Sequence, residues 1–273
     1  MRRAVGVLLG AATLGAVGWC LAPILWQLLT SLKPEAELYL APPAWFPAAP
    51  AAAHYRAVLA DGRFVRSVLN SAIIAGGATA IALGLGSPAA FALARLRPRG
   101  TALFLGLFLA AAMFPAIAAV TPLFSLFGRL GILNTYWAVI LPHAALTLPL
   151  TVWILTAYLR DLPPELEEAA LVDGTSRVGA FVRVLIPAAA PGLATAGMLA
   201  FIYSWNEFLF ALTFAGAERT RPATVAIALF PGLHEFPWGE IAAASLVVTL
   251  PLLLLVLVAQ RRIVAGLTAG ALQ

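Results

Sequence analysis

Charge is scarce in this chain. Acidic and basic residues make up 11% of its 273 positions, against about 25% in a typical soluble domain. Lys33 is the only lysine and no glycine precedes it, so a phosphate-binding G-x-x-x-x-G-K-[ST] loop is excluded. The chain does not hydrolyse ATP by that route, and any such energy has to come from a partner. Cys20 is the only cysteine, which excludes an internal disulfide framework and a multi-cysteine metal site; it reads as a small apolar packing residue. His54, His143 and His234 are scattered, and H-E-x-x-H, C-x-x-C and G-x-S-x-G are all missing. No catalytic residue and no metal site is expected. The net charge of +5 is not gathered into a patch, so nucleic acid is not an expected partner.

What the sequence has instead is apolar length. Hydrophobic residues account for 62% of the chain, and mean hydropathy is +0.94. A membrane-crossing helix needs about 20 largely apolar residues. Six segments qualify, at residues 5–29, 68–93, 102–126, 136–159, 192–215 and 241–259. The uncharged run at the start covers residues 4–32, far longer than the ~7–15 residues of a signal-peptide core, so it reads as a retained span. Pro23, Pro88, Pro115, Pro142, Pro149 and Pro251 fall inside the spans. Neighbouring helices in a membrane bundle satisfy the backbone groups a proline frees, so these predict kinks rather than breaks. The fold expected is an all-α membrane protein with six transmembrane helices in one domain, residues 1–273.

Arginine placement gives the orientation. With the N-terminus inside, one side holds Arg2, Arg3, Arg95, Arg97, Arg99, Arg160, Arg177, Arg183, Arg261 and Arg262. The other holds Lys33, Arg56, Arg63, Arg66, Arg129, Arg219 and Arg221. The positive-inside rule then places both termini and residues 160–187 in the cytoplasm. Two longer loops fall outside. Residues 33–65 are proline-rich with Trp45 and Phe46, and suit an ordered cap; residues 217–240 carry His234 and Trp238. Both exceed what a simple hairpin needs, which points to an external partner.

Between the fourth and fifth spans the chain turns polar. Pro163-Pro164 can open a helix, because the first turn needs no backbone donors. Glu165, Glu167 and Glu168 then lie where a helix N-terminus favours negative charge. Gly174 follows where helices commonly end on a left-handed residue. A short helix, a glycine turn and a second helix ending near Pro187 are expected, outside the lipid. An interfacial linker stabilised by its own caps is the plainer reading of the same pattern.

The order Glu168-Ala169-Ala170, Gly174, Val184-Leu185-Ile186-Pro187 resembles the coupling loop of ABC importer permeases. Residues 162–170 resemble the corresponding run of the carbohydrate-type permeases, in particular the maltose/glycerol-phosphate-like second subunit. Asn70-Ser71, Arg95, Gly131-Ile132-Leu133-Asn134-Thr135, Trp205-Asn206-Glu207-Phe208, Gln260-Arg261-Arg262 and Gly266-Leu267 extend the likeness over about residues 66–267. It implies a type I importer permease fold with a cytoplasmic coupling helix. It further implies a second permease subunit, two ATPase subunits that bind ATP and Mg, and a periplasmic or lipid-anchored solute-binding protein. The setting is a bacterial or archaeal inner membrane. Glu165, Glu167, Glu168, Ala169, Ala170, Asp173 and Gly174 would dock on an ATPase. The family's tail usually ends in a lysine-containing G-A-V-K-G run, whereas this chain ends Gly270-Ala271-Leu272-Gln273, which puts a tail contact in doubt.

Glu207 is the one acidic residue well inside an apolar run, and such groups usually face a cavity or a partner. Asn206, Ser204 and Thr213 accompany it, and His143, Thr147 and Thr151 lie on the fourth span. Asn206, Glu207, Ser204, Thr151 and His143 are candidates for the solute path; they could bond sugar hydroxyls or knit helices together. Adjacent helical residues differ by about 100°, so Asn206 and Glu207 cannot share one direction. One is expected to face the path and the other to bond a neighbouring helix. The likeness also implies that the other permease subunit builds much of the solute site. The reading is a permease subunit, not an enzyme, for a sugar or sugar-like solute. Its rivals are an ABC permease for a non-sugar solute and an ion-gradient-driven secondary transporter.

Overall fold

The structure, a computed structural model, describes residues 2–230 and 236–269, with the side chains of 2–5, 7, 8 and 259–269 left aside. The described residues form helices and no strand. α1 (Arg2–Leu32) contains Pro23. α2 (Glu35–Leu38) and α3 (Ala53–Ala60) punctuate the proline-rich segment. α4 (Gly62–Phe91) passes into a π-helical turn, Ala92–Leu96, that stops on Arg97 in the left-handed region. α5 (Thr101–Ala112) and α6 (Ala116–Arg129) follow, then α7 (Tyr136–Asp161). The polar segment comprises α8 (Glu165–Val172), α9 (Arg177–Ala180), a second π turn at Phe181–Leu185, and α10 (Ile186–Ala188). α11 (Ala190–Asn206), α12 (Leu209–Phe214), α13 (Ala223–Ala228) and α14 (Trp238–Ala269) complete the chain.

Four of the described helices are long and apolar enough to cross a membrane, or six if each bent pair is one span. The third expected span is broken rather than kinked: α5 and α6 meet at 84°. Pro115 has no N–H to continue α5 and drives Phe114 away from the helical region. Pro142 and Pro149 inside α7, by contrast, leave that helix whole. The fifth span also departs from expectation. A helix over residues 177–188 bends by 77° into α11. α11 stops at Asn206, because Glu207 adopts an extended backbone (ψ 136°).

By their internal contacts the residues form two units, 1–65 with 226–251, and 66–225 with 252–273. In the first, Lys33 is 3% exposed, with its Nζ donating to the Ala44 carbonyl at 2.6 Å and lying 4.5 Å over the Trp26 ring. Trp26 meets Trp45 edge-on at 5.5 Å. The only lysine is thus a clamp on the proline-rich segment. Cys20 was expected to pack; it is exposed, because α1 buries none of its apolar window against the rest of the described residues.

The described residues of the second unit include two apolar clusters. One gathers Phe127, Val139, Ile140, Phe210 and Phe214, with the Phe127 and Phe210 rings 5.4 and 5.5 Å from that of Phe214. The other gathers Phe91, Leu155, Leu159, Leu185 and Ala196. Gly192 lets α11 close on α7: a Cβ there would fall 2.6 Å from the Tyr158 ring.

Candidate functional site: a coupling helix and a buried polar node

α8 is built as its sequence suggests. Pro164 precedes it, and Glu165, Glu167 and Glu168 occupy its first turn, where they meet the positive end of the helix. At its other end Thr175 N donates to the Ala170 carbonyl at 3.0 Å and Gly174 N to Leu171 at 3.1 Å. These two bonds, with Gly174 at φ +79°, make a Schellman stop. Ser176 then caps α9 by accepting from Gly179 N at 3.1 Å.

The docking candidates divide by exposure. Glu165, Glu168, Ala169, Asp173 and Gly174 are exposed, while Ala170 is buried. The Glu167 side chain is only 14% exposed and lies 3.8 Å from Arg95 Nε. Arg95, itself 9% exposed, also donates through Nη2 to the Leu162 carbonyl at 2.7 Å. The end of α4 is thereby tied to the start of the polar segment. Next to this tie the ring of Phe91, the last residue of α4, stands 4.8 Å from that of Phe181 in the second π turn. π turns of this kind often mark functional positions. Sequence reasoning gave Arg95 no role beyond ending the second span.

The path candidates fall into three groups. His143, Ser204 and Glu207 form one network: His143 Nδ1 lies 2.7 Å from Ser204 Oγ, and Nε2 lies 2.7 Å from Glu207 Oε2. A carboxylate only accepts, so the Nε2 hydrogen lies between the two side chains. Glu207 takes two more bonds, from Phe210 N at 3.0 Å and Ala211 N at 3.2 Å, and caps α12. Its own carbonyl accepts from Thr224 Oγ1 at 3.2 Å. The side chain that starts α12 therefore also pins it to α7. Thr151 is buried and spends its hydroxyl on the Thr147 carbonyl, one turn back in α7. Asn206 is exposed, with Nδ2 donating to the Ile202 carbonyl at 2.8 Å.

A second buried polar joint went unassigned in the sequence. Asn70, fully buried, donates to the carbonyls of Arg219 at 3.2 Å and Arg221 at 2.9 Å, and accepts from Tyr136 Oη at 2.8 Å. Ser71 Oγ accepts from Ala223 N at 2.9 Å. Asn134, at φ +59°, accepts from Ala217 N through Oδ1 at 2.8 Å. The signal available was a polar pair opening an apolar run. His234 lies outside the described residues, as do Gly270-Ala271-Leu272-Gln273. Among the described residues no three His, Cys, Asp or Glu side chains could hold a metal.

The family model "Binding-protein-dependent transport system inner membrane component" matches residues 63–268. The chain belongs to this family. The permease is 42% identical over 253 residues to the sulfoquinovosyl glycerol transport system permease protein SmoH of Agrobacterium fabrum, covering 93% of this chain and 89% of that one. It is 41% identical over 259 residues to the trehalose transport system permease protein SugB of Mycobacterium tuberculosis, covering 94% of each. To the trehalose/maltose transport system permease protein MalG of Thermococcus litoralis it is 38% identical over 270 residues, covering 98% of this chain and 96% of that one. Its fold matches a chain of a bacterial ABC transporter involved in the import of the acidic polysaccharide alginate, with TM-score 0.81, 23% identity, and 96% and 97% of the two chains covered. The permease is thus an all-α, multi-pass membrane subunit of a binding-protein-dependent transporter, not an enzyme.

Proposed function

We propose that the permease forms one half of the membrane pathway of an ATP-driven importer for a sugar or sugar-like solute. The observation that carries the solute class is near-full-length likeness, at 38–42% identity, to permeases named for trehalose, maltose and sulfoquinovosyl glycerol transport. A second, different permease chain pairs with it, and a solute-binding protein delivers the solute from outside. Two ATPase subunits hold ATP and Mg. Both termini and α8 face the cytoplasm, in line with the arginine count. Closure of the ATPases pushes α8 through Glu165, Glu168, Ala169, Asp173 and Gly174. Val172 supports this docking: it is 87% exposed on a polar segment outside the lipid, an apolar side chain without cover.

The partners make the test. Purification of the tagged permease from its native membrane should bring an ATPase and a second permease. ATP hydrolysis by that complex should rise with a sugar-loaded binding protein and not with the empty one. Copurification without any ATPase, and uptake that follows an ion gradient, would contradict the proposal.

Arg95 predicts a separable defect. Its hydrogen bond to Leu162 and its ion pair with Glu167 join the π turn after α4 to the segment that opens α8, and hydrogen bonds to charged groups contribute about 1.5–3 kcal/mol. Arg95→Ala should leave the complex assembled but lower solute moved per ATP hydrolysed by about tenfold, the lower end of that range. Parallel measurement of uptake and hydrolysis in proteoliposomes checks this. Equal loss of both activities would make Arg95 a folding residue only.

A further inference from the structure

We propose that the permease holds the phosphodiester of an anionic phospholipid between Arg66 on α4, Arg219, and the start of α7. A cavity of about 270 Å³ lies there, lined by these arginines with Asn134, Thr135, Tyr136, Trp137 and Thr220. Neither guanidinium forms a hydrogen bond or an ion pair with another described residue. The rest of the rim is already committed. Thr135 Oγ1 donates to Ile132 O at 2.6 Å, Tyr136 Oη donates to Asn70, and Asn134 Oδ1 accepts from Ala217 N. The main chain of Arg219 is itself pinned by buried Asn70. A rigid frame therefore presents two uncommitted planar cations, the group best matched to phosphate oxygens.

Position and size select a lipid over a free solute. Below Arg66 on the same exposed face of α4 come Leu69 and Ile73, spaced three and four residues apart. Trp137 and Leu141 do the same on α7, and all four are exposed. A cationic mouth above an apolar stripe fits a headgroup with acyl chains, and Trp137 is a residue of the membrane interface. The volume falls below the ~300–1,000 Å³ of pockets that enclose whole small molecules, which suits a headgroup phosphate.

The test uses the whole transporter in nanodiscs of equal phosphatidylcholine and phosphatidylglycerol, without solute or ATP, so its outcome is independent of the solute class. Lipids that remain after detergent extraction are quantified by mass spectrometry. Wild type should retain phosphatidylglycerol in excess of its share. Arg66→Gln and Arg219→Gln should each lower that excess about fivefold, and together about 25-fold, as expected for ~1 kcal/mol per basic residue at an anionic surface. Arg56→Gln, an exposed arginine elsewhere with the same charge change, should have no effect. Should the double variant assemble poorly, the single variants carry the test. Equal loss with Arg56→Gln would reduce the effect to diffuse surface charge and overturn the proposal. Displacement of the lipid by soluble glycerophosphoglycerol at the same concentration would also overturn it, in favour of a water-soluble anion. So would retention that no substitution changes.

Discussion

Gly174→Val is expected to lower uptake by about a hundredfold while the chain still inserts. Gly174 is held at φ +79°, and no neighbour lies within 4 Å of a Cβ placed there. The defect is therefore one of backbone strain, not of crowding. A β-branched residue in that region costs about 1–3 kcal/mol, and the easiest relief is to undo the Schellman stop and redirect α9. The exposed face of α8 would then meet its partner at the wrong angle. Gly174→Asn is the control, since asparagine enters the left-handed region more readily; it should retain most uptake. Glu168→Lys reverses an exposed charge in the first turn of α8 and should also abolish uptake, with ATPase copurification lost alongside. Survival of uptake and of ATPase association in both Gly174→Val and Glu168→Lys would remove the docking role from this segment.

Substitution of Glu207 is expected to act on assembly rather than on the solute. Glu207→Ala strands His143 Nε2 and the N–H groups of Phe210 and Ala211 in an apolar region. Each stranded buried group costs about 1–3 kcal/mol, so the amount of intact complex should fall at least tenfold. Glu207→Gln keeps an acceptor and should give an intermediate loss. Asn206→Ala removes only an exposed bond to Ile202 on its own helix. It should leave abundance unchanged and alter solute-dependent uptake. Detergent-solubilised complex by size exclusion, measured with initial uptake rates, separates the two. Normal abundance and normal uptake in both variants would make the polar pair incidental and move the solute site to the partner permease.

The polar segment was the most legible part of the sequence, for a local reason. Pro164, the three glutamates and Gly174 act through backbone chemistry within a few residues, so spacing alone specifies α8 and its stop. The apolar segments were legible in number but not in continuity. Pro115 breaks its span while Pro142 and Pro149 do not, although all three lack an N–H, so the residue type alone does not separate a broken helix from a whole one. The end of α11 was hidden for a similar reason. Glu207 caps α12 with a carboxylate that also reaches His143, 64 residues away in the chain. Asn206 and Glu207 were expected to diverge as neighbours on one helix, whereas α11 ends at Asn206 and Glu207 turns to His143 from an extended backbone. Arg95 looked like one more basic residue at the end of a span. Its bond to Leu162 O and its contact with Glu167 depend on tertiary placement of α8, so its role emerged only from the structure.

The most direct test of the account is whether Val172 lies against an ATPase. In a Cys20→Ser background the chain has no other cysteine, so Val172→Cys provides a single thiol on the exposed face of α8. With a short bifunctional reagent applied to native membranes, the account predicts a crosslink to the ATPase subunit whose yield changes when ATP and Mg are added. Modification of that introduced thiol by a membrane-impermeant reagent added only from outside, with no crosslink to any ATPase, would contradict both the topology and the coupling role.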